Sequence, residues 1–218
     1  REPNGLPVDF RLFKHYGDQF EIERAHRLGD QPGKVRLLAY RNRAVLAEFN
    51  DATAYLIANN PVDRQTILRV RGGEKIKSGI GINLEQALGD DLGVFFRGMR
   101  SDGKTETHAF TEVDASLSTG FLVKGTRWGR VRDSVGLSLM LNHLSPERRR
   151  FLEAGGISYF IGDGALRYRP ETVVETFYSF SISKTVWLTG DYQRIVNPAY
   201  NADRGPIDVV AFRLHAQF

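Results

Sequence analysis

Apolar and polar residues alternate along most of this chain, and in several stretches the alternation outlasts the roughly five or six residues of an ordinary globular strand. From Lys75 to Leu88 one phase carries Ile76, Ile80, Ile82, Leu84 and Leu88 and the other Lys75, Lys77, Asn83 and Glu85. From Glu112 to Lys124, Val113, Ala115, Leu117, Thr119, Phe121 and Val123 oppose Glu112, Asp114, Ser116, Ser118 and Lys124. Val135, Leu137, Leu139 and Leu141 then oppose Ser134, Gly136, Ser138 and Asn142, and Val174, Tyr178, Phe180 and Ile182 oppose Glu175, Ser179, Ser181 and Ser183. Successive side chains of a strand point to opposite faces, so each segment has an oily face and a wet one. A tilted strand of about ten residues crosses the hydrocarbon layer of a bilayer, and several of these segments are long enough.

Between them lie turn-like pieces, Gly89-Asp90-Asp91, Ser101-Asp102-Gly103 and Ser183-Lys184-Thr185, which predict tight reversals between antiparallel neighbours and hence a meander. Two stretches break the alternation. Asp51 to Asn60 reads as a short helix. Ser145 to Gly155 reads as another, with Ser-Pro-Glu as N-cap, N1 proline and acidic first turn, and Gly155-Gly156 as the stop. Helices inserted between long strands suit extended loops on one side of a barrel. No linker, low-complexity tract or long repeat divides the chain, so residues 1–218 read as one unit.

Composition removes several classes. No run approaches the roughly eighteen apolar residues of a membrane helix; 41% hydrophobic and 26% charged residues suit a soluble globular protein and do not exclude a membrane barrel, in which only every second strand residue faces lipid. The absence of cysteine argues against disulfide scaffolds, zinc–thiolate sites and thiol nucleophiles. The net charge of +4 comes from 30 Lys and Arg interleaved with 26 Asp and Glu, not from a basic block, which argues against nucleic acid. Arg1 to Asp9 has no signal-type apolar core, so any targeting segment is expected outside this sequence.

The recurrent charges on the polar face decide which way the oily face points. In a small soluble barrel or sandwich the apolar face turns inward; in a wide membrane barrel it turns outward and the lumen holds the charges with water. Counting back from Phe218, Ala216, Leu214, Phe212 and Val210 alternate with Gln217, His215, Arg213 and Ala211. A last strand in phase with a C-terminal aromatic resembles the signal by which outer-membrane barrels are recognised for insertion, making the barrel-assembly machinery an expected partner through Phe218.

More of the chain resembles one family. Gly33-Lys34-Val35-Arg36-Leu37-Leu38-Ala39-Tyr40, Gly81-Ile82-Asn83-Leu84-Glu85-Gln86, Gly93-Val94-Phe95-Phe96-Arg97, Asp102-Gly103-Lys104-Thr105-Glu106 and Phe110-Thr111-Glu112 carry the resemblance. So do Leu144-Ser145 through Ala154-Gly155-Gly156, Gly162-Asp163-Gly164, Pro170-Glu171 with Glu175, Asp191 through Asn201, Arg204-Gly205-Pro206 and Arg213-Leu214-His215. In order and spacing these are similar to the carbohydrate-selective porins of the OprB family. The resemblance implies an all-β antiparallel meander barrel in a Gram-negative outer membrane, passing small sugars passively, with outer-membrane lipids around it, no cofactor and no catalysis. Family members are about twice this long and build barrels of about 16 strands, against nine or ten segments here. The chain therefore reads as the C-terminal part of one barrel domain or as a shortened relative. The residues leave open which sugar passes and whether the assembly holds one copy or several.

A sugar entering a pore exchanges hydrogen bonds to water for hydrogen bonds to the wall. Carboxylates accept from its hydroxyls, guanidinium and amide groups donate, and aromatic rings stack on its apolar face. The candidates on the predicted lumen face are Glu21, Glu23, Lys75, Lys77, Asn83, Glu85, Arg97, Glu112, Asp114, Glu175, Asp191, Gln193 and Arg213, with Phe95 and Trp187 as stacking surfaces. Any one of them reads first as a solvated wall residue or a member of a stiffening ion-pair network, and only second as a sugar contact. Arg41 and Arg43 read as lumen or loop charges, and Tyr192 falls on the lipid face. Enzymatic readings are weak: Asn142, His143 and Ser145 are adjacent in sequence, which is not triad geometry. Glu112 and Asp114 resemble a glycosidase carboxylate pair no more than any two wall acids do. His26, His108, His143 and His215 show no metal-ligand spacing. The competing readings are a soluble or periplasmic β-rich carbohydrate-binding module and a same-fold barrel for polysaccharide export.

Overall fold

A computed structural model describes residues 13–59, 66–107 and 112–218. Asn60, His108, Phe110 and Thr111, which enter the expectations above, lie outside the described residues. Among those described, nine strands run in sequence order through one antiparallel sheet. They are β1 (Tyr16–Leu28), β2 (Gln31–Val45), β3 (Glu74–Ala87), β4 (Leu92–Ser101), β5 (Ala115–Lys124), β6 (Ser134–His143), β7 (Glu171–Ser181), β8 (Val186–Val196) and β9 (Ile207–Ala216). The sheet is open, with β1 and β9 at its margins. No helix among the described residues is long and apolar enough to cross a membrane.

The two ends of the sheet differ. At one end β1–β2, β3–β4 and β7–β8 are joined by turns of two to four residues, and β5–β6 by a short 3-10 turn, Gly125–Trp128, with its flanking residues. At the other end the connections are long. They carry helix α1 (Phe49–Asn59), helix α2 (Pro146–Glu153) and the 3-10 turns Thr66–Leu68 and Pro198–Tyr200. The expected turns after β3 and β7 are where the sequence put them. Ser101-Asp102-Gly103 is not a tight reversal: it opens a connection that runs to Asp114. Asp102 there accepts a hydrogen bond from the Ser78 amide at 2.6 Å, tying the connection back to β3.

Register fixes the faces, because residues paired across an antiparallel ladder share a side. Leu37 pairs with Ile82, Leu117 with Leu141, Thr119 with Leu139 and Leu188 with Leu214, which assembles one apolar face. No second layer covers it among the described residues: Ile80 is 65% exposed, Leu117 43%, Leu139 42% and Leu214 69%. A soluble sandwich would bury these side chains. Tyr192 lies on this face, as expected. Arg41 and Arg43 do too, rather than facing the polar side, because they are in phase with Leu37 near the long-connection end, where Arg41 pairs with Asp18 at 2.7 Å.

The buried apolar cluster sits in the long connections instead. Phe49 and Ala52 of α1, Phe151 and Leu152 of α2, and Leu144, Ile161 and Tyr200 pack together, with the Phe49 and Phe151 rings 5.8 Å apart. The α2 signals hold as read: Ser145 accepts from the Arg148 amide at 3.1 Å and Pro146 opens the helix. Ser145 also donates to Gly103 O at 2.6 Å, while Asn142 and His143 stand on opposite faces of β6, so the three do not converge.

Candidate functional site

The polar face is built by the same register. Glu23 pairs with Arg36 and Arg36 with Asn83; Asn83 pairs with Arg97 and Arg97 with Ser118, which draws one row across five strands. In the neighbouring rows Lys34 pairs with Glu85 and Glu85 with Phe95, and further along Glu175 pairs with Gln193, Phe177 with Asp191 and Thr189 with Arg213. Thus Glu21, Glu23, Lys75, Lys77, Asn83, Glu85, Phe95, Arg97, Glu175, Trp187, Asp191, Gln193 and Arg213 all share one face, as the alternation predicts.

At its centre Arg36 bridges two carboxylates, Glu23 Oε2 at 2.6 Å and Glu85 Oε1 at 2.7 Å. Lys34 adds a second cation at 3.0 Å from Glu23, and Asn83 donates to Glu85 at 3.2 Å. Each carboxylate keeps lone pairs that a passing hydroxyl can use. The Arg97 guanidinium stands 5.0 Å from the centre of the Phe95 ring. A Cβ on Gly120 would sit 2.7 Å from that ring, so Phe95 lies flat across β5. Tyr40 covers Gly79 and Phe177 covers Gly136 in the same way. Phe95 is thus packed over Gly120 and beside the Arg97 guanidinium.

Three of the expected wall residues are covered rather than open to solvent. Lys77, Glu112 and Asp114 are buried at the long-connection end around Arg148, which is itself fully buried. Arg148 reaches Glu112 at 2.5 Å and Asp114 at 3.0 Å, and Lys77 lies 3.7 Å from Asp114. Glu112 also accepts from the Ser158 hydroxyl and the Tyr159 amide at 3.0 and 2.8 Å, and Asp114 from the Ser145 amide at 2.9 Å. The Tyr200 hydroxyl donates to Glu112 O at 2.7 Å, and burial pushes that hydroxyl well above the ordinary phenol range. The alternation through Glu112 and Asp114 put them in the wall's phase, but β5 begins only at Ala115, so they fasten the connections instead. Lys75 is also engaged at this end, 2.8 Å from Glu48.

The sequence profile described as carbohydrate-selective porin, OprB family, matches residues 9–218. The chain belongs to the OprB family. A solved structure of OprB from Pseudomonas putida, determined at high pH, superposes with a TM-score of 0.73 at 19% identity, covering 96% of this chain and 51% of that one. The chain thus spans about half the length of that OprB, and its nine-stranded open meander has the fold of a portion of the OprB barrel. Comparison with curated proteins gives no match.

Sequence reasoning missed Arg36, the bridge between Glu23 and Glu85, and Arg148. Arg148 sits in the arginine run of α2, to which the strand alternation assigns no role. The available signal was spacing: Arg148 precedes Phe151 and Leu152 by three and four residues and so shares their buried face.

Proposed function

We propose that this chain forms one part, the C-terminal one, of the wall of a Gram-negative outer-membrane barrel through which small sugars diffuse passively. The observation that carries the reading is the pairing of a polar, ion-bridged face with an apolar face that nothing among the described residues covers. The apolar face meets lipid and the polar face lines water. Along the polar face, Glu23, Arg36, Glu85, Asn83 and Arg97 exchange hydrogen bonds with a sugar in place of water, in contacts shallow enough to release it. Glu175, Asp191, Gln193 and Arg213 continue the same wall across β7 to β9. The protein acts as a channel and not as a catalyst, and Phe218 presents the terminal aromatic to the barrel-assembly machinery.

The buried charges hold α1, α2 and their connections at one mouth, which keeps those segments from closing the passage at random. The soluble-module reading requires the uncovered apolar face to find a cover elsewhere. Extraction and transport test the proposal together. A heat-modifiable band in a detergent-solubilised outer-membrane fraction, with liposome swelling by mono- and disaccharides, is the expected result. Full solubility in buffer without detergent would move the assignment to the module, and swelling by no small sugar would favour export or a scaffold role.

A further inference from the structure

We infer that the wall carries a discrete hexose subsite just inside its short-turn end, built on the indole of Trp187. The inference rests on the sugar-pore reading and adds a defined place where the sugar pauses. Ser179, Trp187, Thr189, Arg213, His215 and Gln217 line one cleft of about 350 Å³. Register places five of them on the polar face: Ser179 pairs with Thr189 and Thr189 with Arg213, while Ser181 pairs with Trp187 and Trp187 with His215; Gln217 follows just past β9, its amide donating to Thr185 O at 2.9 Å. The cleft therefore spans β7, β8 and β9 on the polar face.

Its chemistry is that of pyranose recognition. An indole offers an apolar face to the ring's C–H groups, and the polar groups around it meet the hydroxyls at the rim. Arg213 donates, Gln217 donates and accepts, and the Thr189 hydroxyl, 3.1 Å from Ser179 Oγ, accepts as well as donates. The indole is already held: Nε1 donates to Arg132 O at 3.3 Å, and the His215 ring packs 5.7 Å away, tilted by 47°. A ring fixed in advance loses little freedom when a sugar stacks on it. Phe95, the other candidate stacking surface, lies flat on Gly120 beside the Arg97 guanidinium. Long connections of outer-membrane barrels face outward and short turns face the periplasm, which puts this subsite at the exit.

The test uses the protein reconstituted in vesicles, its folding checked by heat-modifiable mobility. The sequence has two tryptophans, so Trp128→Phe leaves Trp187 as the sole emitter. Titration with D-glucose is expected to shift that emission saturably in the millimolar range, and Arg213→Met to weaken the apparent affinity about tenfold, as loss of one charge-assisted hydrogen bond does. Fluorotryptophan labelling of the unsubstituted chain, read by 19F NMR, follows the same indole if the Trp128 variant does not fold. A Trp187 signal that stays still at glucose concentrations that swell the same vesicles overturns the subsite and leaves the pore standing. Vesicles that no sugar swells overturn the pore reading and the subsite with it.

Discussion

At mid-wall Arg36 sits between Glu23 and Glu85 at 2.6 and 2.7 Å, and at the long-connection end Arg148 sits between Glu112 and Asp114 at 2.5 and 3.0 Å. The two constellations are nearly the same in charge and distance. They differ in water: the Arg36 side chain is 22% exposed and its partners more so, whereas Arg148 is at 0%. Around Arg36 solvent screens the pairs and the unused lone pairs stay available to a solute. Around Arg148 backbone amides and hydroxyls have replaced water, so the same charges act as a fastener between segments far apart in sequence. One arrangement thus serves a wall in one place and a clamp in another, according to what covers it.

The largest expected effect is at the clamp. Arg148→Met leaves Glu112 and Asp114 buried without their cation and is expected to cost about 3–5 kcal/mol. Urea unfolding in micelles, with proteolysis of the 144–170 connection as a second readout, measures it; an unchanged midpoint would erase the distinction between the two sites. Glu112→Gln keeps the size and part of the hydrogen bonding to Ser158 and Tyr159, and is expected to cost less, about 1–3 kcal/mol. Glu112→Ala, which the alternation alone expects to spare the fold, is expected to destabilise it, so any change of sugar flux in that variant reports the clamp and not wall contact.

At the wall the order reverses. Arg36→Ala and Arg97→Ala are expected to leave the unfolding midpoint where it is and to change the rate of sugar-driven vesicle swelling; unchanged flux in both would remove them from the wall's working surface. The smallest effect tests whether a covered carboxylate whose cation stays partly in water can fasten anything. Asp133, beside β6, accepts from Arg130, from the Tyr178 hydroxyl at 2.7 Å and from the Ser181 amide at 2.9 Å. The Arg130 hydrogen bond, helped by the other two, holds its carboxyl down at about 2. Because the folded value is depressed, its contribution is present above the ordinary carboxylate range and fades as pH falls through about 2. Hydrogen exchange at the Ser181 amide is expected to quicken over that window and to lose the dependence in Asp133→Asn.

The strands were legible because their two faces meet different surroundings, and a period of two records that directly. Lys75 to Leu88 became β3 at Glu74–Ala87, and the polar residues it carries stand where the phase put them. The α2 boundary was legible because Ser145, Pro146 and Glu147 act on the nearest amides. Burial of Glu112, Asp114 and Lys77 was not legible: it depends on Arg148, which is 36 residues beyond Glu112 and arrives through folding of the connections. Likewise Asp102-Gly103 carries turn chemistry, yet the path of the chain beyond Gly103 is set by contacts with Ser78 and Ser145 and not by the turn itself.

The count of strands carries a consequence for assembly. With nine strands among the described residues, β1 and β9 both travel from the long-connection end toward the short-turn end. A second identical sheet set beside this one, both inserted the same way up, would bring strands of like direction together at each seam. For the nine described strands, antiparallel zipping therefore demands an odd-numbered complement, and their parity turns away self-pairing of this sheet as the way to make a ring.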